Sequence, residues 1–313
     1  IGLNALGANT TASNNTGVGL DVLAANTTGT NNVAVGKDAM IALTTGSGNV
    51  AIGMDALDAL TTGSNIIAVG KDALGANTSG ISNTAVGHEA LAANTTGGEN
   101  VALGYGVLDS NTTASNNTGV GYLALSANTT GTQNTAVGAS ALDANTTGSY
   151  NTAVGRGALG ADTLGSRSTA VGRNALSSQN FTSATDTYNT AVGFEAGSVI
   201  TTGVSNTLIG GLAGDALTDA DYNIAVGYNA LTADTLGSRS VAIGVGTLEA
   251  QNFTTAIDTY NIAIGHGAGG ALTTGIQNTL IGGLAGDALT DADNNVAIGY
   301  SAMTTNVLGS ESV

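Results

Sequence analysis

A chain of 313 residues with 48 Gly and no Pro, Cys or Trp has no disulfide staples and no thiol metal ligands. High Gly without a three-residue Gly period excludes collagen. Six basic against 22 acidic residues give a net charge of −16, which argues against nucleic acid and against adsorption on anionic membranes, and no apolar run approaches the roughly 20 residues that span a bilayer.

One glycine sets the frame. It recurs every 17 residues from Gly2 through Gly19, Gly36, Gly53 and Gly70 to Gly172. It continues as Gly193, Gly210, Gly227, Gly244, Gly265, Gly282 and Gly299, with steps of 21 only at 172–193 and 244–265. A fixed period of this length marks a repeat protein whose units are stabilised by their neighbours. The fold class expected is all-β, a parallel β-solenoid (β-roll) with one coil per marker glycine. About 18 coils at the roughly 4.8 Å spacing of stacked strands would make a rod about 85 Å long.

With the marker glycine as position 0, position −1 is Val or Ile in nearly every coil (Val18, Ile52, Val137), and −3 is Thr, Val or Ile. β-Branched residues two apart signal a strand and share one face. That face is expected to be the core, with Val137 and Val154 buried. The opposite face holds Ala or Gly at −2 and Gly at 0. Either another backbone approaches closely there or small residues relieve crowding on a tightly curved strand. Position −4 is usually Asn (Asn32, Asn49, Asn134), which stacked coils would arrange as an amide ladder.

Leu at +4 (Leu57, Leu125, Leu142) reads as a second inward contact, on a strand or a single helical turn. Asn-Thr-Thr-Gly follows, as at 128–131. Its Gly at +10 suggests a positive-φ turn, although Ala12 and Ala114 occupy the same place. Asn-x-Thr sequons at Asn9, Asn26, Asn94, Asn111, Asn128 and Asn145 are copies of this turn and carry little independent weight as glycosylation signals.

The chain divides into a regular rod over 1–165 and a continuation over 166–313 built from two 72-residue modules, each one 21-residue coil and three of 17. The extra residues fall around Gln179-Asn180-Phe181-Thr182 and Gln251-Asn252-Phe253-Thr254. An insertion at one turn projects from one side of a solenoid, often the binding side. It could equally pack Phe181 and Tyr188, or Phe253 and Tyr260, against the rod. Residue 1 and Val313 both fall inside repeats, so the chain reads as a segment of something longer.

Candidate chemistry is sparse. His88 and His266 both stand at +1 in a row of large variable residues and read as surface residues; neither has a partner at metal-ligand spacing. The acids Asp219 and Asp221, repeated as Asp291 and Asp293, alternate as Ca²⁺ ligands can. They lack the rest of a calcium loop and read chiefly as a solvated acidic turn. No catalytic residues, cofactor or metal site are assigned.

The repeated motif Asn49-Val50-Ala51-Ile52-Gly53-Met54-Asp55-Ala56-Leu57, with Ser240-Val241-Ala242-Ile243-Gly244, resembles the head repeats of trimeric autotransporter adhesins and the repeat regions of phage-type tail fibres. The resemblance covers essentially the whole chain, and it implies parallel β-coils in three identical chains side by side. The 17-residue unit is longer than the usual adhesin head repeat, and no ligand site carries over. What the resemblance implies is a structural, adhesive fibre segment, extracellular, on a cell surface or virion. Such a segment associates with identical chains and presents a tip to a host-surface glycan or receptor. Two other readings are weighed. Thr pairs such as Thr27-Thr28 and Thr129-Thr130 could form ice-binding rows, and a polysaccharide-active β-helix would need an acid–base cluster that no stretch supplies.

Overall fold

The structure, a computed structural model, describes residues 1–312 and shows a parallel β-solenoid with no helix among them. It comprises two compact units, Ile1–Asn151 and Thr152–Val313. The first unit holds eight three-residue strands, from Thr16–Val18 to Thr135–Val137. The second holds nine, from Thr152–Val154 to Val296–Ile298. Within each unit, these strands span positions −3 to −1 and pair in register with the same positions one coil on, as Val33 with Val50 and Thr169 with Thr190. The segment after the marker glycine is neither strand nor helix; it is a run of turns.

The strand faces are the reverse of the expected ones. Ala136 at −2 is fully buried, whereas Val137 at −1 is 36 % exposed; Val154 is half-buried. The interior of a 17-residue coil is narrow, and the opposite wall fills it. Leu at +4 is fully buried in coil after coil, as at Leu57, Leu91, Leu125 and Leu142. Only one methyl group fits between that leucine and the strand. The β-branched residues therefore lie outside.

Exceptions to Ala at −2 confirm this volume limit. Gly119 stands where a Cβ would come 2.5 Å from a methyl of Val107, and Gly17 faces Val22. Conversely, Leu208 at −2 fills the space left where +4 is Gly197 in one coil and Gly214 in the next; a Cβ on either would lie 2.6–2.8 Å from its methyls. Leu280 does the same between Gly269 and Gly286. Interior volume is conserved by paired swaps, as close packing demands.

Of positions −2 and 0, only position 0 has the close backbone approach. Marker glycines have φ between +128° and +147°. On Gly53 a Cβ would sit 2.2 Å from the carbonyl oxygen of Gly70. The neighbour is the next coil of the same chain. The +4 leucines also adopt positive φ, 54° at Leu57 and 52° at Leu142. That conformation costs about 1–2 kcal/mol for a residue with a Cβ, and full burial of a leucine offsets it with about 1.5–3 kcal/mol. The +10 glycines, by contrast, are not among the positive-φ residues. Stacking selects them, since a Cβ on Gly29 would meet Gly46 O at 2.2 Å. Ala114, Ala220 and Ala292 at that place show that the coil can adjust.

Two buried amide columns run through the coils. At −4, an Asn Oδ1 accepts the backbone N–H of the −4 residue one coil on, usually Asn but elsewhere Ile66 or Ser240, for example, and its Nδ2 donates across the coil to the +10 carbonyl. Asn32 bonds Asn49 N at 2.9 Å and Gly46 O at 2.9 Å in this way. At +7, Asn94, Asn111, Asn128 and Asn145 link Nδ2 to Oδ1 at 2.8–3.1 Å. Five of the six sequon asparagines belong to this column and are fully buried, so they cannot accept a glycan. Buried amides are tolerated because most donors and acceptors are met within the coil or by the coil above or below, with Asn145 Oδ1 an exception.

Candidate functional site

Side chains that face outward stand in columns, one residue per coil. In the first column pair, −1 is apolar in every coil and −3 alternates between Val or Ile and Thr, as at Thr16, Thr118 and Thr190. Positions −3 and −1 present Val18, Ile52, Ile67, Val101, Leu103 and Val137 in the first unit, and Val192, Ile209, Ile224, Ile243 and Ile262 in the second, all exposed. A contiguous exposed apolar face is unusual for a lone soluble chain and marks an interaction surface.

The +1 and +2 columns carry the charge. His88, Tyr105 and Tyr122 stack with ring centroids 5.4 and 5.6 Å apart. Beside them at +2 stand Asp21, Asp38, Asp55, Asp72 and Glu89. Lys37 pairs with Asp38, and Lys71 with Asp72 at 2.7 Å. His266 sits at the same +1 position in the second unit, with Gly246 and Gly267 at +2.

The 21-residue coils build the most elaborate region. Asp162 replaces Asn at +7 and is fully buried. Its carboxylate accepts Gln179 Nε2 at 2.5 Å, Gly165 N at 3.0 Å and Phe181 N at 3.5 Å. Gln179 also donates to Ser168 Oγ and accepts from Asn189, and Ser168 bonds Thr187. Asp234, Gln251, Ser240, Thr259 and Asn261 repeat this network. Ser at −4 is shorter than Asn, and the longer Gln at +7 fills the difference. Burial pushes the Asp162 and Asp234 carboxyls above the usual range, and the glutamine hydrogen bonds pull partly back.

Of the two insertion aromatics, Phe181 and Phe253 pack inward as buried residues, whereas Tyr188 and Tyr260 stay exposed. Outside, Arg239 pairs with Asp258 at 3.0 Å and lies 4.6 Å from the Tyr222 ring centroid and 6.0 Å from that of Tyr260. Arg167 pairs with Asp186 in the same way. These contacts are exposed and individually weak.

A shallow cavity of about 620 Å³ beside the second insertion is lined by Asp219, Asp221, Ser238, Ala256, Ile257 and Asp258. The calcium candidates Asp219 and Asp221 therefore do meet at one surface, but each already has a partner. Asp219 accepts Thr202 Oγ1 at 2.5 Å, and Asp221 accepts Val204 N at 2.7 Å. Asp221 takes the place of the serine that bonds the preceding coil elsewhere, as Ser47 bonds Thr30 N. Burial, with Asp219 and Asp258 nearby, raises the Asp221 carboxyl. Asp293 repeats the role by accepting Ile276 N, and Asp291 accepts Thr290 Oγ1.

Sequence reasoning missed one grouping. Asp72, His88 and Glu89 bring ligand atoms within 4.8 Å of one another. Asp72 and His88 are 16 residues apart, so the signal was the period itself, which sets +2 of one coil beside +1 and +2 of the next.

No family model matches the chain, and no curated protein matches it. Among the described residues, no helix is long and apolar enough to cross a membrane.

Proposed function

We propose that this chain is a structural, adhesive segment of an extracellular fibre that associates with identical chains, three side by side, through the β-branched strand face. The observation that carries this reading is the outward strand face at −3 and −1. Position −1 is Val, Ile or Leu in every coil of both units, exposed or half-buried, and a matching face on a second copy would remove these residues from water at about 25 cal/mol per Å² buried. A solenoid whose coil interiors are closed by Ala, Leu and Asn gains nothing internally from that face. The repeat's resemblance to trimeric adhesin heads and tail fibres agrees with a shaft that carries a tip toward a host-surface glycan or receptor. Sedimentation of the isolated segment at micromolar concentration tests the association. Three chains of 30.2 kDa each support it, and a clean monomer overturns it.

Ice binding has one feature in its favour, the Thr pairs at +8 and +9. The +8 hydroxyls are largely spent on the stack, as Thr44 and Thr61 each donate to the next coil's carbonyl at 3.0 Å, whereas the +9 residues, such as Thr28, Thr45 and Thr130, are exposed. A thermal-hysteresis measurement separates this reading from the fibre reading.

A further inference from the structure

We propose that Asp72, His88 and Glu89 form a binding site for a divalent transition-metal ion of the zinc class. Four observations converge on it. First, the three side chains offer one imidazole nitrogen and two carboxylates, with ligand atoms all within 4.8 Å. This is a borderline N/O donor set suited to zinc and its neighbours, rather than the all-oxygen set of calcium or magnesium.

Second, His88 Nδ1 is shielded from solvent and has no hydrogen-bond partner. It lies 3.5 Å from Glu89 Oε2, beyond the usual hydrogen-bond range of about 2.7–3.2 Å. Two ligand atoms each roughly 2.0–2.2 Å from a tetrahedral zinc ion stand about 3.4 Å apart. The separation suits a shared cation better than a shared proton.

Third, the ring is already oriented. Tyr105 stacks on it with a centroid distance of 5.4 Å and planes 5° apart, and Tyr122 stacks on Tyr105 in turn. The imidazole therefore gives up little rotational freedom on binding, which favours affinity. Binding through Nδ1 requires the neutral ring with its proton on Nε2.

Fourth, the backbone forces like charges together. Asp72 and Glu89 occupy the same column in adjacent coils, with φ of 56° at both, and Glu89 N donates to Lys71 O at 3.0 Å. Stacked carboxylates repel unless a cation lies between them. Lys71 Nζ relieves Asp72 through Oδ2. A carboxylate has two oxygens, so ammonium and metal are not exclusive. Glu89 has the imidazole beside it, and Lys71 acts on it only through space. His266 supplies an internal control, because the places of Asp72 and Glu89 are taken there by Gly246 and Gly267.

The experiment is calorimetric titration of the full chain with zinc chloride alone, at neutral pH in a non-chelating buffer. Wild type is compared with His88→Ala, Asp72→Asn and His266→Ala, and each variant is checked by its melting temperature. The expected result is one zinc per chain at micromolar affinity, weakened at least tenfold in His88→Ala and Asp72→Asn and unchanged in His266→Ala. Calcium chloride should bind at least tenfold more weakly than zinc. The proposal is overturned if zinc gives no saturable heat, if His88→Ala retains affinity within tenfold, or if calcium matches zinc, which would leave only the general attraction of an acidic surface. None of these residues lies on the apolar strand face, so the result is independent of whether the chain associates.

Discussion

The unit Ile1–Asn151 and the unit Thr152–Val313 use one coil plan with two different fillings. In the first, +7 and −4 hold Asn facing Asn through most coils, or the apolar pair Leu60 and Ile66. In the second, the same two columns pass through Asp162, Gln179 and Ser168, or through Ile200 and Leu217 beside asparagines at −4. At −2 the first unit uses Ala or Gly, while the second twice uses Leu and deletes the +4 leucines around it. The difference shows what the fold constrains: interior volume and hydrogen-bond closure within each pair of coils. The identity of any single interior residue is free if its neighbours compensate.

Several variants would break that comparison, and they rank by expected cost. Leu208→Ala removes the side chain that fills two glycine gaps and should cost about 3–5 kcal/mol in thermal or denaturant unfolding. Adding Gly197→Leu and Gly214→Leu restores the first unit's pattern and should recover most of the loss. Failure of that rescue would contradict volume compensation. Gln179→Ala strands the Asp162 carboxylate without its side-chain donor and should cost about 3 kcal/mol. Asn128→Ala in the first unit interrupts an uncharged ladder and should cost about 1–3 kcal/mol; equal losses at the two sites would show that the buried charge adds nothing.

The pH dependence sharpens the contrast. Folding raises the Asp162 and Asp234 carboxyls above their ordinary value of 3.8 through burial. The folded state thus binds more protons than the unfolded state between 3.8 and the raised values. Stability from these two groups falls as pH rises through that window and is regained on acidification. Calorimetry of wild type against the Asp162→Asn, Asp234→Asn double variant should show the slope in the former and a reduced slope in the latter. The smallest effect is expected near the surface, where Thr129→Ala loses one half-buried bond to Thr146 O and should cost about 0.5–1 kcal/mol in the same melts.

Much of the coil was legible in the sequence. The marker glycines gave the period, positions −3 to −1 gave the strand, and Asn at −4 gave the ladder, because each follows from local geometry repeated in register. Which strand face lies inside was not legible. β-Branched residues usually mark a core, and only the size of the opposite wall, Leu142 facing Ala136, reverses that rule. The amide column at +7 was hidden because Asn-Thr-Thr-Gly also reads as a turn. The grouping of Asp72 with His88 was hidden because the two residues lie 16 apart in sequence and on adjacent coils. Both emerge only when coils are stacked.

The central claim is that Ala136 closes the coil while Val137 meets another copy of the chain. The chain has no cysteine, so single cysteines placed at the two neighbouring positions can be read without background. Under native conditions, a short bis-maleimide should join chains carrying Val137→Cys into covalent dimers on a denaturing gel, the most that one thiol per chain allows, and leave Ala136→Cys unlinked. Linkage through Ala136→Cys, or none through Val137→Cys at micromolar concentration, would contradict the account.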